Sequence, residues 1–387
     1  MSPLTLSEPA RALPEIVLTG AMPVAPLGTT AVVYCEGNFG ELDGKTANGL
    51  VRHSEKYDIL SVIDSRHAGA DAGTLLDGTA NGIVIHRDLH EAIAQLDRVP
   101  DYFVYGMAPA SGMLSPNERS IVLDAIAQGM HIVNGLHEFL NDDAEFVAAS
   151  IAAGVTMTDV RKPRDKKDLK VFSGAINNVT CPRIAVLGTD GAIGKRTTAT
   201  LVAQALNASG IKTVLVGTGQ TSRMQGAKYG VALDAIAPQF CSGEVEAAIV
   251  DAFEHEHPDV IIVEGQGALS HPAYLTSAYI LRGAQPAGVI LQHAPKRGML
   301  GDFPTLPMPT AASEINLIET FADTKVIGLT INHEHMTDDQ VSVAIDQYRR
   351  ELSIPVTDAL TRPASRLVDM VVGAFPELAA KRTKPTQ

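Results

Sequence analysis

Lys195 stands where a cation can meet a phosphate. It closes the stretch GTDGAIGK at residues 188–195, which follows the apolar run IAVL at 184–187 and opens a helical pattern. A strand, a glycine-bounded loop and a Lys at a helix mouth together describe a phosphate cradle. The glycines let backbone N–H groups converge on anionic oxygens, the helix N-terminus adds partial positive charge, and the Lys reaches the outer phosphates. Gly188, Thr189, Asp190, Gly191, Gly194, Lys195, Arg196 and Thr197 are the candidate cofactor-binding residues. The spacing departs from the ordinary G-x-x-x-x-G-K-[ST] loop: five residues separate Gly188 from Gly194, and Arg196 replaces the hydroxyl residue that normally ligates Mg²⁺. Thr197 would present its hydroxyl about 100° further round the helix. A guanidinium on the first turn neutralises phosphate without a metal and binds two oxygens at once. The expectation is phosphate binding without ordinary Mg²⁺-assisted γ-phosphoryl chemistry, with Mg²⁺ itself left open; the plain alternative is a tight strand-to-helix turn.

The strands that must hold this loop can be read on both sides of it. In the second half, runs at 213–216, 259–263, 287–292, 326–330 and 356–358 each end on polar residues. The first is followed by the polar loop GTGQTSRMQG at 217–226, the second by Glu264 and GQGALSHPAY, the third by His293, Pro295, Lys296 and Arg297, and the fourth by Asn332, His333 and Glu334. Ligands of open α/β sheets bind outside the carboxyl ends of the strands, so these clusters share one edge.

In the first half, short apolar runs at 30–35, 57–64, 82–86, 101–106 and 130–135 alternate with helical stretches, whose starts are marked by Ser115-Pro116 with Glu118 and by Asp88 with Glu91. That alternation predicts an α/β chain of two domains, a Rossmann-like parallel sheet over 1–165 followed by a P-loop NTPase-like parallel sheet over 175–387. The loop after the first run, EGNFGELDG, lacks G-x-G-x-x-G, so Gly37 and Gly40 are read as a turn rather than a nicotinamide site. Asp64 is open to two readings, a ribose contact or a capping Asp, and Asn134 with Glu138 is read as a helix cap. RKPRDKKDLK at 161–170 mixes both charge signs around a Pro and reads as the interdomain crossing.

Composition narrows the partners. The 387 residues carry a net charge of −13 with Lys and Arg scattered, which argues against nucleic acid or an anionic membrane. Cys35, Cys181 and Cys241 are far apart and form neither a disulfide framework nor a zinc spacing. Residues 1–27 lack the basic start and long apolar core of a signal peptide, and no run approaches a membrane span. A cytoplasmic protein acting on small molecules, and assembling as a homo-oligomer, is expected.

The loop GTDGAIGK resembles the phosphate loop of dethiobiotin synthetase and its relatives, where the same five-residue gap occurs. More broadly, GTDGAIGKRTTA, GTGQTSRMQG, VEGQGALSHPAY, HAPKRG and, in the first half, GLHEFL at 135–140 resemble a family catalogued as a domain of unknown function, with a Rossmann-like N-terminal and a P-loop-like C-terminal domain. The likeness covers nearly the whole chain. A DgcN-type branch of that family acetylates D-glutamate from acetyl-CoA. The resemblance implies an N-acetyltransferase with acetyl-CoA as co-substrate, whose diphosphate suits a loop without the Mg²⁺ hydroxyl. Glu264, His271 and His293 are then the candidate catalytic groups, one of them taking the proton of the amine, with the backbone of residues 265–267 facing the oxyanion. Gln220, Arg223, Gln266, Lys296 and Arg297 are the candidate substrate-binding residues, with Arg282 a further cation. Structural alternatives stand beside these: His271 shaping the turn before Pro272, His293 as a packing residue, Arg282 at a helix end. An ATP/Mg²⁺-dependent ligase or kinase like dethiobiotin synthetase, with Thr197 or Asp190 on the metal, is the second reading. A nucleotide-sensing module without turnover is the third.

Overall fold

The computed structural model describes residues 28–41, 43–96, 98–109 and 111–382. The stretch 1–27, read above against a signal peptide, lies outside the described residues.

The first half builds a sheet of strands β1 (Thr30–Tyr34), β2 (Asp58–Ile63), β3 (Val84–His86), β4 (Tyr102–Tyr105), β5 (His131–Asn134) and β6 (Met157–Asp159), ordered β3-β2-β1-β4-β5-β6 and parallel throughout. That is the doubly wound Rossmann order. Helices on both faces bury the strands, which explains why β1 reads as an unbroken apolar run rather than an alternating one. Tyr34, Phe103 and Tyr105 fill the middle, with ring centroids 5.7–5.8 Å apart. The helix Pro116–Ala127 starts on the expected capping box of Ser115 and Glu118. Asp64 proves to be a cap: its carboxylate accepts from the N–H groups of Gly37, Phe39 and Arg66 and from His67, which leaves nothing for a ribose.

The second half builds strands β7 (Arg183–Gly188), β8 (Thr213–Gly217), β9 (Tyr229–Gly230), β10 (Val260–Glu264), β11 (Gly288–His293), β12 (Lys325–Ile331) and β13 (Val356–Thr357), again all parallel, in the order β13-β12-β11-β7-β10-β8-β9. Central β7 is flanked by β10 and β11, and the register sets Glu264 opposite Val186 and Gln292 opposite Gly188. The loop after β7, the Glu ending β10 and the polar end of β11 therefore lie side by side. The 14-residue helix Lys195–Ala208 follows the loop and stops before Gly210, which adopts a left-handed φ of 85°.

One segment differs from its sequence reading. Residues 217–226, expected as a polar loop, contain the helix Gln220–Gln225. A helix this short is marginal alone, and it is held by the other domain. Met224 is buried in the N-terminal core, Thr221 shares a hydrogen bond with Thr46, and Gln225 donates to the Gly49 carbonyl. Thr46 and Gly49 belong to the helix Lys45–Arg52 that follows β1, so the two domains meet at the carboxyl edges of both sheets. The charged crossing is bound down by its own side chains: Arg161 pairs with Asp234 and donates to the Gly135 carbonyl, while Arg164 pairs with Glu244 at 2.6 Å. Among the described residues, no helix is long and apolar enough to cross a membrane.

Candidate functional site

The loop after β7 is shaped by two left-handed residues, Ala192 at φ 46° and Gly194 at φ 96°. The N–H groups of residues 192–197 donate to no acceptor among the described residues, so the loop and the first helical turn present a row of free donors. Gly188 has no room for a side chain: a Cβ would stand 2.9 Å from the Lys195 Cδ and 3.0 Å from the Gln292 carbonyl oxygen. Lys195 is buried, its ammonium bonded to the Asp190 carbonyl across the loop. Burial brings its pKa down to about 8, against the pull of Asp190 and Glu264 and aided by Arg297 and Lys45.

Asp190 anchors the loop. Its carboxylate accepts from the N–H groups of Gly191 at 2.7 Å and Gly301 at 2.9 Å and pairs with Arg297 at 3.0 Å. In the ligase reading, Mg²⁺ would therefore compete for a carboxylate that already has three partners. Arg297, expected on substrate, is likewise consumed: besides Asp190 it contacts the Gly191 carbonyl and holds Glu334 through two bonds of 2.8 Å. Thr189 bonds to His293, Thr198 to the Gln292 side chain, and Thr197 is half-buried.

Glu264 is buried at the end of β10 and accepts from the Thr218 N–H at 3.0 Å. Burial raises its pKa above the ordinary 4.5, opposed by the Arg196 guanidinium and the Thr218 N–H. This corrects the placement of Arg196. Lys195 and Arg196 do not grip one anion side by side, because one helical residue turns the second side chain about 100° away. Arg196 instead lies between Glu264 and the N-terminal domain, where a Cβ on Gly49 would stand 2.3 Å from its Nη2.

The remaining candidates divide. His293 has both ring nitrogens engaged, Nδ1 with Thr189 at 2.9 Å and Nε2 with Tyr348 at 3.0 Å, and burial takes its pKa to about 4. It supports the loop and has no lone pair free for a proton. Arg223 donates to the Val160 carbonyl at 2.6 Å, across the domain interface; Lys296 is exposed and Arg282 lies over the Phe321 ring. His271 is buried with an unpartnered Nε2, close enough to Asp190 and Lys195 to feel their charges. Gln266 donates to Thr218 Oγ1 at 2.9 Å, and Gln220 lies between the domains beside Gly135 with its amide unbonded among the described residues. The structure thus gathers the loop, Lys195, Glu264, His271 and Gln266 along one edge.

Sequence reasoning missed two contributors. Glu314, buried on the helix Ala311–Phe321, accepts from Leu269 and Ser270 and fixes the segment carrying His271; nothing in an amphipathic pattern marks it. Lys45, the exposed first residue of its helix, brings a charge of the N-terminal domain towards Lys195, and its one visible signal was its place after the first strand.

Residues 170–368 match the family model described as Domain of unknown function (DUF1611_C) P-loop domain, and residues 65–163 its companion, Domain of unknown function (DUF1611_N) Rossmann-like domain. The chain belongs to this two-domain family. A protein of Tritonibacter scottomollicae named D-glutamate N-acetyltransferase is 30% identical over 273 residues, covering 69% of this chain and 79% of the relative. One of the same name from Pseudoalteromonas sp is 31% identical over 268 residues, covering 67% and 77%. The crystal structure of a DUF1611 family protein from Anabaena variabilis aligns with a TM-score of 0.82 at 30% identity, covering 89% of this chain and 100% of that one.

Proposed function

With membership of that family as premise, we propose that the protein transfers the acetyl group of acetyl-CoA to the α-amino group of D-glutamate. The relatives' names supply the reaction. The observation that carries it to this chain is a row of free loop N–H groups beside Lys195, in a loop whose metal-hydroxyl position is an Arg turned towards Glu264. Such a loop suits the diphosphate of coenzyme A, which needs holding and not cleaving.

Glu264 is the base. A carboxyl whose pKa is raised by burial is closer to the working range of a proton acceptor than an exposed one. The substrate ammonium releases one proton to solvent and its nitrogen attacks the thioester carbon. As the C–N bond forms, Glu264 takes the second proton, and it passes this to the sulfur as the C–S bond breaks. Arg196, a cation without a hydrogen bond among the described residues, receives a substrate carboxylate, and Gln220 and Gln266 line its path. Acetyl-CoA as donor implies a cytoplasmic setting.

Thiol release from acetyl-CoA, followed over a panel of D- and L-amino acids, tests the reading; D-glutamate is the expected acceptor. Coenzyme A at a hundred times its Kd should stabilise the protein by about 2.7 kcal/mol, without added metal. Stabilisation by ATP with Mg²⁺ alone would favour the ligase, and binding without product from any amine would favour a sensor.

A further inference from the structure

We propose that His271 is a fixed, neutral hydrogen-bond donor, whose Nε2–H holds the thioester carbonyl oxygen as that oxygen becomes negative. The assignment rests on the acetyl-transfer reading.

The tautomer follows from one contact. The Ala273 N–H donates to His271 Nδ1 at 3.2 Å. A donor N–H approaches a ring nitrogen only where that nitrogen offers its lone pair, so in the neutral ring the proton sits on Nε2. Burial keeps the ring neutral: it lowers the pKa by more than Asp190 and Asp302 raise it, and Lys195 adds a smaller effect in the same sense as burial.

The ring is also locked. Tyr274 stacks on it with centroids 4.4 Å apart and planes 14° from parallel, and the Tyr274 hydroxyl is tethered to Asp302 at 2.8 Å. Phe303 closes in at 5.7 Å. Only 4% of His271 is exposed, yet Nε2 finds no acceptor among the described residues. Buried donors are nearly always paired. One left unpaired within electrostatic reach of Lys195 and Asp190 is arranged for an oxygen that arrives with a ligand. With Nδ1 occupied and Nε2 already protonated, the ring has no site from which to act as base.

In the reaction, the amine nitrogen attacks the carbonyl carbon and the C=O electron pair moves onto oxygen. His271 stabilises that charge and keeps its proton. The pair returns as the C–S bond breaks, and the thiolate takes the proton Glu264 removed from nitrogen. A preorganised donor of this kind contributes about 10²–10³ in rate.

The test compares His271→Leu with His271→Gln in the full chain, since Gln restores an N–H of similar reach. His271→Leu should lower kcat by about 10²–10³ with the coenzyme A Kd and the pH midpoint unchanged, and His271→Gln should recover at least about tenfold of that loss. Nitrogen-15 NMR of the wild-type ring should show Nε2 protonated, no titration between about pH 6 and 8, and a shift of the Nε2–H signal when acetyl-CoA is added. An Nδ1–H tautomer, a ring titrating in that window, or His271→Leu retaining kcat would overturn the assignment. So would a loss confined to coenzyme A affinity, which marks a phosphate contact, or a vanished pH limb that Gln fails to rescue, which marks a base. If the wild type released thiol with no amine, the acetyl-transfer reading would fail on its own, while the tautomer and its response to coenzyme A would still decide the donor.

Discussion

Replacing Glu264 by Gln separates chemistry from folding. The amide keeps an oxygen to accept the Thr218 N–H at 3.0 Å, so the geometry at the end of β10 persists. Two electrostatic effects oppose one another: a buried carboxylate no longer has to be desolvated, and half-buried Arg196 loses its counter-charge. The lost counter-charge costs about 1 kcal/mol for an Arg partly screened by solvent, and the relieved desolvation of buried Glu264 offsets it, so stability should change by less than about 1 kcal/mol. Loss of a general base costs about 10²–10⁴ in rate, or about 2.7–5.5 kcal/mol at 1.36 kcal/mol per decade. Stopped-flow thiol release at saturating acetyl-CoA, with thermal unfolding of the same sample, reads both. A kcat within about threefold of wild type at unchanged Tm would refute the role of Glu264. The pH dependence adds a sign. The folded state holds the Glu264 proton more tightly than the unfolded chain, so stability falls as pH rises from the ordinary 4.5 through the raised folded value. Glu264→Gln should flatten that slope. Arg196→Met, which removes the opposing charge, should move the acid limb of kcat/KM to higher pH.

Three further outcomes are expected. Lys195 titrates near 8 in the free protein, so coenzyme A should bind with proton uptake and weaken by up to about tenfold per pH unit above that value, read by calorimetry in buffers of different ionisation enthalpy; by the same sign, the free protein gains stability from pH 8 to 10.5 as the buried ammonium sheds its charge. Arg297→Ala strands buried Asp190, and since Arg297 is partly exposed the lower end of the range for breaking a buried pair applies, about 3 kcal/mol, or about 6–12 °C in Tm. Gly188→Ala sets a Cβ 2.9 Å from the Lys195 stem and 3.0 Å from the Gln292 carbonyl, which is backbone and cannot yield, so the thermal shift given by coenzyme A should disappear.

The sheets were legible because parallel strands buried on both faces show as unbroken apolar runs, and 184–187 with the glycine loop behind it marked the strand-loop-helix turn directly. Strands β6 and β9 were not, since Met157 stands between Thr156 and Thr158 and Tyr229 between Lys228 and Gly230, which leaves no apolar run to read. The helix Gln220–Gln225 was hidden for another reason: its stability comes from the domain it touches, and local pattern carries no trace of Met224 lying in the N-terminal core. Side-chain direction was the hardest to foresee. Arg196 and Arg297 are correct as residue types near the loop, but a quarter-turn of helix sends the first towards Glu264, and Asp190 with Glu334 captures the second. Both directions depend on partners far away in sequence.

The placement of Arg196 sets the N-terminal domain against a cation that acts on Glu264. Its guanidinium lies against Gly49 on the helix Lys45–Arg52, where any side chain would intrude: a Cβ there meets Nη2 at 2.3 Å and the Gln225 Nε2 at 3.1 Å. The end of an Arg is flexible, so Gly49→Ala should displace Arg196 rather than unfold the protein, and Ala in a helix interior returns up to about 1 kcal/mol of propensity. With the guanidinium moved, Glu264 keeps its burial and loses the charge that offsets it, so its pKa climbs further. A substitution in the Rossmann-like half, far in sequence from the phosphate loop, should therefore raise the acid limb of the pH profile in the same direction as Arg196→Met, while the Tm changes little. If Gly49→Ala left the acid limb at its wild-type pH, whatever it did to the overall rate, Arg196 would not be the counter-charge of the base.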